Sequence, residues 1–132
     1  MSTFDKTLPS GVGLIDFSVY ADPDDVLAYN GWPARLVEQP LIKAAIEIEA
    51  QLESGWLPGD TELRNAPKLS EWSIANRRSR GQGIYLLGYT SGHPRFGGDR
   101  TFVETSHLVA IDTANFGWAR TLSRWYRLGK RG

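Results

Sequence analysis

One stretch of the chain, Pro40 to Ser54, carries a sustained helical period, and that single amphipathic segment limits the fold more than any other feature. Leu41, Ala45, Ile48 and Leu52 recur on one helical face. Ile42 and Ile46 widen the face, while Glu47, Glu49 and Glu53 occupy more polar positions. Gly55 suits a left-handed stop after the last turn. A lone helix of this kind must bury its apolar side on something else in the chain. After Pro67 the pattern changes to short apolar runs divided by turn residues. Trp72 to Ala75, Ile84 to Tyr89 and Thr101 to Asp112 read as strands, with turn clusters at Arg77 to Gly83 and His93 to Asp99. The spacing predicts an antiparallel meander over about residues 72–128. A helix at 40–54 packed on such a sheet is an α+β domain, expected to span residues 31–132.

Two segments resist assignment. Residues 1–30 read as irregular: Leu14 to Tyr20 alternates like a short strand, or Asp22 caps a short helix with Pro23 at its first position. Near the other end, Trp118, Leu122, Trp125 and Gly129 fit a helical period. Trp118, Arg120, Leu122, Arg124 and Tyr126 fit a strand equally well.

The 132 residues are one domain's worth of chain. With 41% hydrophobic and 23% charged residues, the balance is globular rather than disordered. Cysteine is absent, which excludes disulfides, thiolate zinc sites and cysteine nucleophiles. No apolar run reaches membrane-spanning length, and MSTFDKTLPSG lacks a signal-peptide core, so no membrane partner and a cytoplasmic location are expected. The net charge of zero hides a gradient. Met1 to Ala66 holds 11 acidic and 4 basic residues, Pro67 to Gly132 the reverse, and nine of the later cations are arginine. Arginine's planar fork suits phosphate, carboxylate and aromatic faces, although two oppositely charged halves can simply neutralise each other within one fold.

Five blocks in order, AAIEIEAQLESG, NAPKLSEW, LLGYTSGHPRF, TSHLVAID and GWARTLSRWYRLG, span Ala44 to Gly129. In these the chain resembles a family of small uncharacterised alphaproteobacterial proteins of unknown function. The resemblance favours a strand for Trp118 to Leu128, following the preceding block as the next strand of the meander. It implies a setting on plasmids, prophages or other accessory DNA, and it brings no catalytic residues.

The residues offer little for catalysis. His93 and His107 with Asp99 or Asp112 lack the short spacing of a metal site, and His93 is expected to bond the backbone of its own turn beside Pro94. A small ribonuclease with a histidine base and Arg95, Arg120 or Arg124 as charge stabilisers is a weaker alternative. Ser106–His107 has no nucleophile elbow, and Gly81–Gln82–Gly83 has no nucleotide-loop spacing. Binding has more material behind it. Arg77, Arg78 and Arg80 share one turn, His93 and Arg95 another, and Arg120, Arg124 and Arg127 interleave with Trp125 and Tyr126. Arginine beside aromatics tracks nucleic acid, and the same residues dominate protein–protein hot spots. Five tryptophans in a small domain also have a plainer use as core. The expectation is a non-enzymatic binding protein without cofactor or metal, inhibiting a host protein complex in the manner of anti-CRISPR proteins. That complex could itself handle nucleic acid, and direct nucleic-acid binding is the alternative.

Overall fold

The computed structural model describes residues 6–76, 83–96 and 100–132. The α+β expectation is overturned: the chain is mostly β, a closed five-stranded barrel with two extra strands and one substantial helix. The strands are β1 (Lys6–Thr7), β2 (Val12–Leu14), β3 (Lys68–Ala75), β4 (Tyr85–Ser91), β5 (Thr101–Asp112), β6 (Trp118–Thr121) and β7 (Trp125–Leu128). Helix α1 covers Pro40–Glu53, and α2 is one turn at Asp60–Leu63.

From β3 to β7 each strand pairs antiparallel with the next, as the turn residues predict. The ring then closes on itself. A meander of alternating direction that closes on an odd number of strands leaves its first and last running the same way. Accordingly β7 lies parallel to β3, with Lys68 opposite Arg127 and Leu69 opposite Leu128. Closure needs curvature, and register shifts supply it: between Ser70 and Ser73 in β3, Tyr85 and Leu87 in β4, and Leu108 and Ala110 in β5. Glu71, inside the first shift, has a φ of 51°.

Strand β5 is long enough to serve several neighbours. It pairs with β4 along Thr101–His107, with β6 from Leu108, and with β2 from Ala110. Leu108, Val109, Ala110 and Ile111 are all fully buried, so successive side chains on both faces are covered. That contradicts a half-solvated meander strand, which would alternate.

The helix ends where Gly55 adopts its positive φ, but its buried face is rotated from the expected one. The buried positions are Ile42, Ala45, Glu49 and Leu52; Leu41 is 54% exposed and Ile48 only half-buried. A glutamate occupies the core because it has partners there. Glu49 Oε1 accepts from Trp32 Nε1 at 2.8 Å and Oε2 from Asn30 Nδ2 at 2.6 Å. Leu52→Ala is therefore expected to cost about 2–5 kcal/mol, and Leu41→Ala no more than about 0.5 kcal/mol, in paired denaturant melts.

The N-terminal residues are far from irregular filler. Val12, Leu14, Ile15, Phe17 and Trp32 are among the best-buried side chains. The strand expected over Leu14 to Tyr20 does not form: β2 ends at Leu14, and Asp16 accepts from Ser18 N at 2.9 Å as the chain turns into a 3-10 helix at Phe17–Tyr20. No helix follows Asp22. Asp22 and Asp25 instead ion-pair with Arg35.

Candidate functional site

Strands β6 and β7 form a hairpin whose two-residue turn is Leu122–Ser123. Thr121 N donates to Arg124 O at 3.0 Å, and Arg120 stands opposite Trp125. The turn is fastened to β5: Leu122 N donates to His107 O at 2.9 Å, and the Ser106 and Ser123 hydroxyls are 2.9 Å apart. Ala119 and Tyr126 form one buried cross-strand pair, while Trp118, Arg120 and Trp125 group together. The ambiguous segment is therefore neither a helix nor the single strand whose face would run from Trp118 to Tyr126, but two short strands joined at Leu122–Ser123.

Trp125 is held by tryptophans on two sides, with ring centroids 5.6 Å from Trp118 and 6.0 Å from Trp56. The Arg120 guanidinium lies 5.3 Å from the Trp125 ring centroid, within cation–π range. Around this pair opens a cleft of about 290 Å³. Arg120, Ser123, Arg124 and Trp125 form one wall; Glu62, Asn65, Ala66 and Pro67 form another, and Pro94 reaches in from the β4–β5 turn. The starts of β3 and β7 and the ends of β4 and β6 meet at this end of the barrel.

The electrostatics are lopsided. Among the described residues, Arg95, Arg120 and Arg124 form no ion pair, whereas Lys6, Arg35, Arg64 and Arg100 all do. Burial lowers the Arg120 pKa, and the Arg124 charge lowers it further. Its Nε is buried without any hydrogen-bond partner. His93 is pulled down by burial first, then by Arg124 and Arg95, so it is neutral near pH 7. Burial raises the Tyr126 hydroxyl, with Arg124 opposing it.

The sequence candidates therefore divide. Arg120, Arg124 and Trp125 line the cleft, and His93 and Arg95 lie in the turn beside it. His93 Nδ1 accepts from Arg95 N at 3.0 Å, the local bond expected of it, and its ring lies 6.2 Å from Tyr126. Tyr126 is buried beneath. Arg127 is drawn elsewhere: its Nε donates to Ala66 O and its N to Pro67 O, both at 2.9 Å, tying β7 to the segment before β3. Arg77, Arg78 and Arg80 lie outside the described residues. His107 bonds Tyr85 OH at 2.8 Å through Nε2, and among the described residues no three histidine or acidic side chains group to hold a metal ion.

Sequence pattern does not single out Asn65, Pro67 or Glu62, since only barrel closure carries them to the hairpin. It also passes over an aromatic pair near the same end. Tyr89 and Phe102 face each other across β4 and β5 at 5.2 Å, and the Arg100 guanidinium lies 4.5 Å from the Tyr89 ring. Phe102 is 55% exposed. Its place opposite a tyrosine in a strand run was the available signal.

Among the described residues no helix is long and apolar enough to cross a membrane. No curated protein and no solved structure matches the chain. Residues 38–131 match the model of DUF6634, a family of unknown function; the span takes in most of the chain and every residue lining the cleft, and the chain belongs to that family.

Proposed function

We propose that the protein acts by binding rather than by chemistry, and that it takes nucleic acid at the barrel end bearing Arg95, Arg120 and Arg124. One observation carries this reading: three arginines gather at one end of the barrel without a carboxylate partner among the described residues. Most other described arginines are neutralised or spent on backbone. Like charges held together, one of them half-buried, cost free energy that a bound anion returns. Exposed Phe96 and Phe102 supply faces for bases near the same end.

A second reading has its own support. Arg120 stacked on a Trp125 that is held by Trp56 and Trp118 is the arrangement of a protein–protein anchor, and Glu62 on the rim disfavours a long polyanion. It keeps open the inhibition of a host complex, in an accessory-DNA setting, that the sequence suggests.

Titrating short single-stranded DNA and RNA at several salt concentrations separates the two. For nucleic acid, Arg95→Ala and Arg124→Ala should each flatten the log–log salt slope by about one unit while leaving the melt unchanged. Absence of binding to any oligonucleotide, with capture of a protein that is lost in Arg124→Ala, would replace the first reading by the second.

A further inference from the structure

We propose that the cleft between Arg120 and Arg124 is a site for one phosphomonoester, the terminal phosphate of a nucleic acid strand or of a free nucleotide. The proposal rests on the nucleic-acid reading for its ligand class, but on the cleft alone for its chemistry.

The first argument is the missing acceptor. A buried N–H without a partner is rare, and Arg120 Nε is such a group in a side chain that lines the cleft. The second is convergence. Arg120 precedes and Arg124 follows the turn of one hairpin, both line the same cleft, and the Arg124 charge is felt at Arg120; a guanidinium fork suits phosphate oxygens. The third is charge. Two guanidiniums match a dianion, and a phosphomonoester carries nearly two charges at neutral pH where an internal diester carries one. The fourth is the lining. Ala66, Pro67, Pro94 and Trp125 offer no charge and Asn65 adds an amide donor, while Glu62 sets one carboxylate against the two arginines, so the cleft suits a single end-on group on its arginine side better than a strand passing through. Preorganisation completes the case: the turn is pinned by the Thr121–Arg124 and Ser106–Ser123 bonds before any ligand arrives.

The test is calorimetric titration of the full chain with a thymidine hexanucleotide bearing a 5′-phosphate, a 3′-phosphate, or hydroxyls at both ends. Inorganic phosphate serves as competitor. One phosphorylated form should bind about tenfold or more tighter than the hydroxyl form, as expected for an added charge-assisted fork. Inorganic phosphate should erase that increment. It should also shrink between about pH 7.5 and about pH 5.5, as the monoester takes up a proton near pH 6. Arg124→Ala and Arg120→Lys should abolish the increment, and Lys43→Ala, on the exposed side of α1, should keep it. If Arg120→Lys fails to fold, Arg124→Ala decides alone.

Equal affinity for all three hexanucleotides overturns the phosphate site and leaves the nucleic-acid reading standing. An increment erased by citrate but not by phosphate also overturns it. If no hexanucleotide binds, yet phosphate raises the melting temperature of the wild type and not of Arg124→Ala, the site stands and the nucleic-acid reading falls.

Discussion

Replacing Trp32 with alanine is expected to remove most of the stability of this protein. Trp32 is 2% exposed and stacks on Phe17 with centroids 3.7 Å apart at 10°. Its Nε1 is one of two donors to the buried Glu49 carboxylate. Losing a buried aromatic costs about 3–5 kcal/mol, and withdrawing a donor from a buried charge adds about 1–3 kcal/mol, partly overlapping. Domains of this size are stable by only about 5–15 kcal/mol. Urea unfolding should therefore show Trp32→Ala barely folded or unfolded at room temperature. Trp32→Phe should recover the packing and isolate the lost hydrogen bond. A loss under about 1 kcal/mol in Trp32→Ala would mean that the N-terminal segment is not part of the core.

The second large effect is a dependence of stability on pH. Glu49 is fully buried, and its pKa is pushed up from 4.5 to about 7. Burial is the largest cause; the Trp32 and Asn30 donors and Lys6 pull it down, while Glu53 pushes it further up. A raised carboxyl pKa means the folded state holds its proton more tightly than the unfolded chain. Its contribution is then complete below pH 4.5 and is lost as pH rises through 7. Each pKa unit is about 1.4 kcal/mol, so the loss approaches about 3 kcal/mol.

The neighbouring Glu53 works in the opposite sense. Partial burial raises its pKa, but hydrogen bonds from Tyr29, Lys6 and Asn30 and the Lys6 charge bring it below its ordinary value. Its contribution is lost only as pH falls below the usual carboxylate range, a separate window. Unfolding free energies should therefore decline from about pH 5 to about pH 8, and Glu49→Gln should flatten that decline. A wild-type profile that rises over this interval would contradict the placement of Glu49.

Local features were legible and long-range ones were not. The helix boundaries and the antiparallel pairing of the strands that follow Pro67 depend on neighbours close in sequence, and they emerge as the patterns suggest, whereas the turn at Leu122–Ser123 is not announced by either period. The helix face was misjudged because Glu49 is paid for by Asn30 and Trp32, which no period within residues 40–54 can announce. The one local signal there was Asn30–Gly31, both at positive φ, a tight-turn pair that folds the chain back so that Leu27 bridges Pro33. Barrel closure was hidden for a different reason. Turn chemistry specifies which strands are consecutive, but it does not say whether the first and last meet. The cleft inherits that blindness, since its arginines are local to one hairpin and its far wall arrives only with the ring.

The parallel seam also bears on the order in which the chain assembles. Strands β3, β4 and β5 join through hairpins as soon as each pair has left the ribosome, whereas β3 finds its other neighbour only when β7 has been made. Until then β3 presents a bare edge, and at its entry Ala66 and Pro67 lack the two hydrogen bonds that Arg127 later supplies. A nascent chain halted between β5 and β7 should therefore be the species most prone to pair with another molecule. Nascent or chaperone-bound intermediates of that length would carry no formed cleft, so ligand capture reports on completion of the ring.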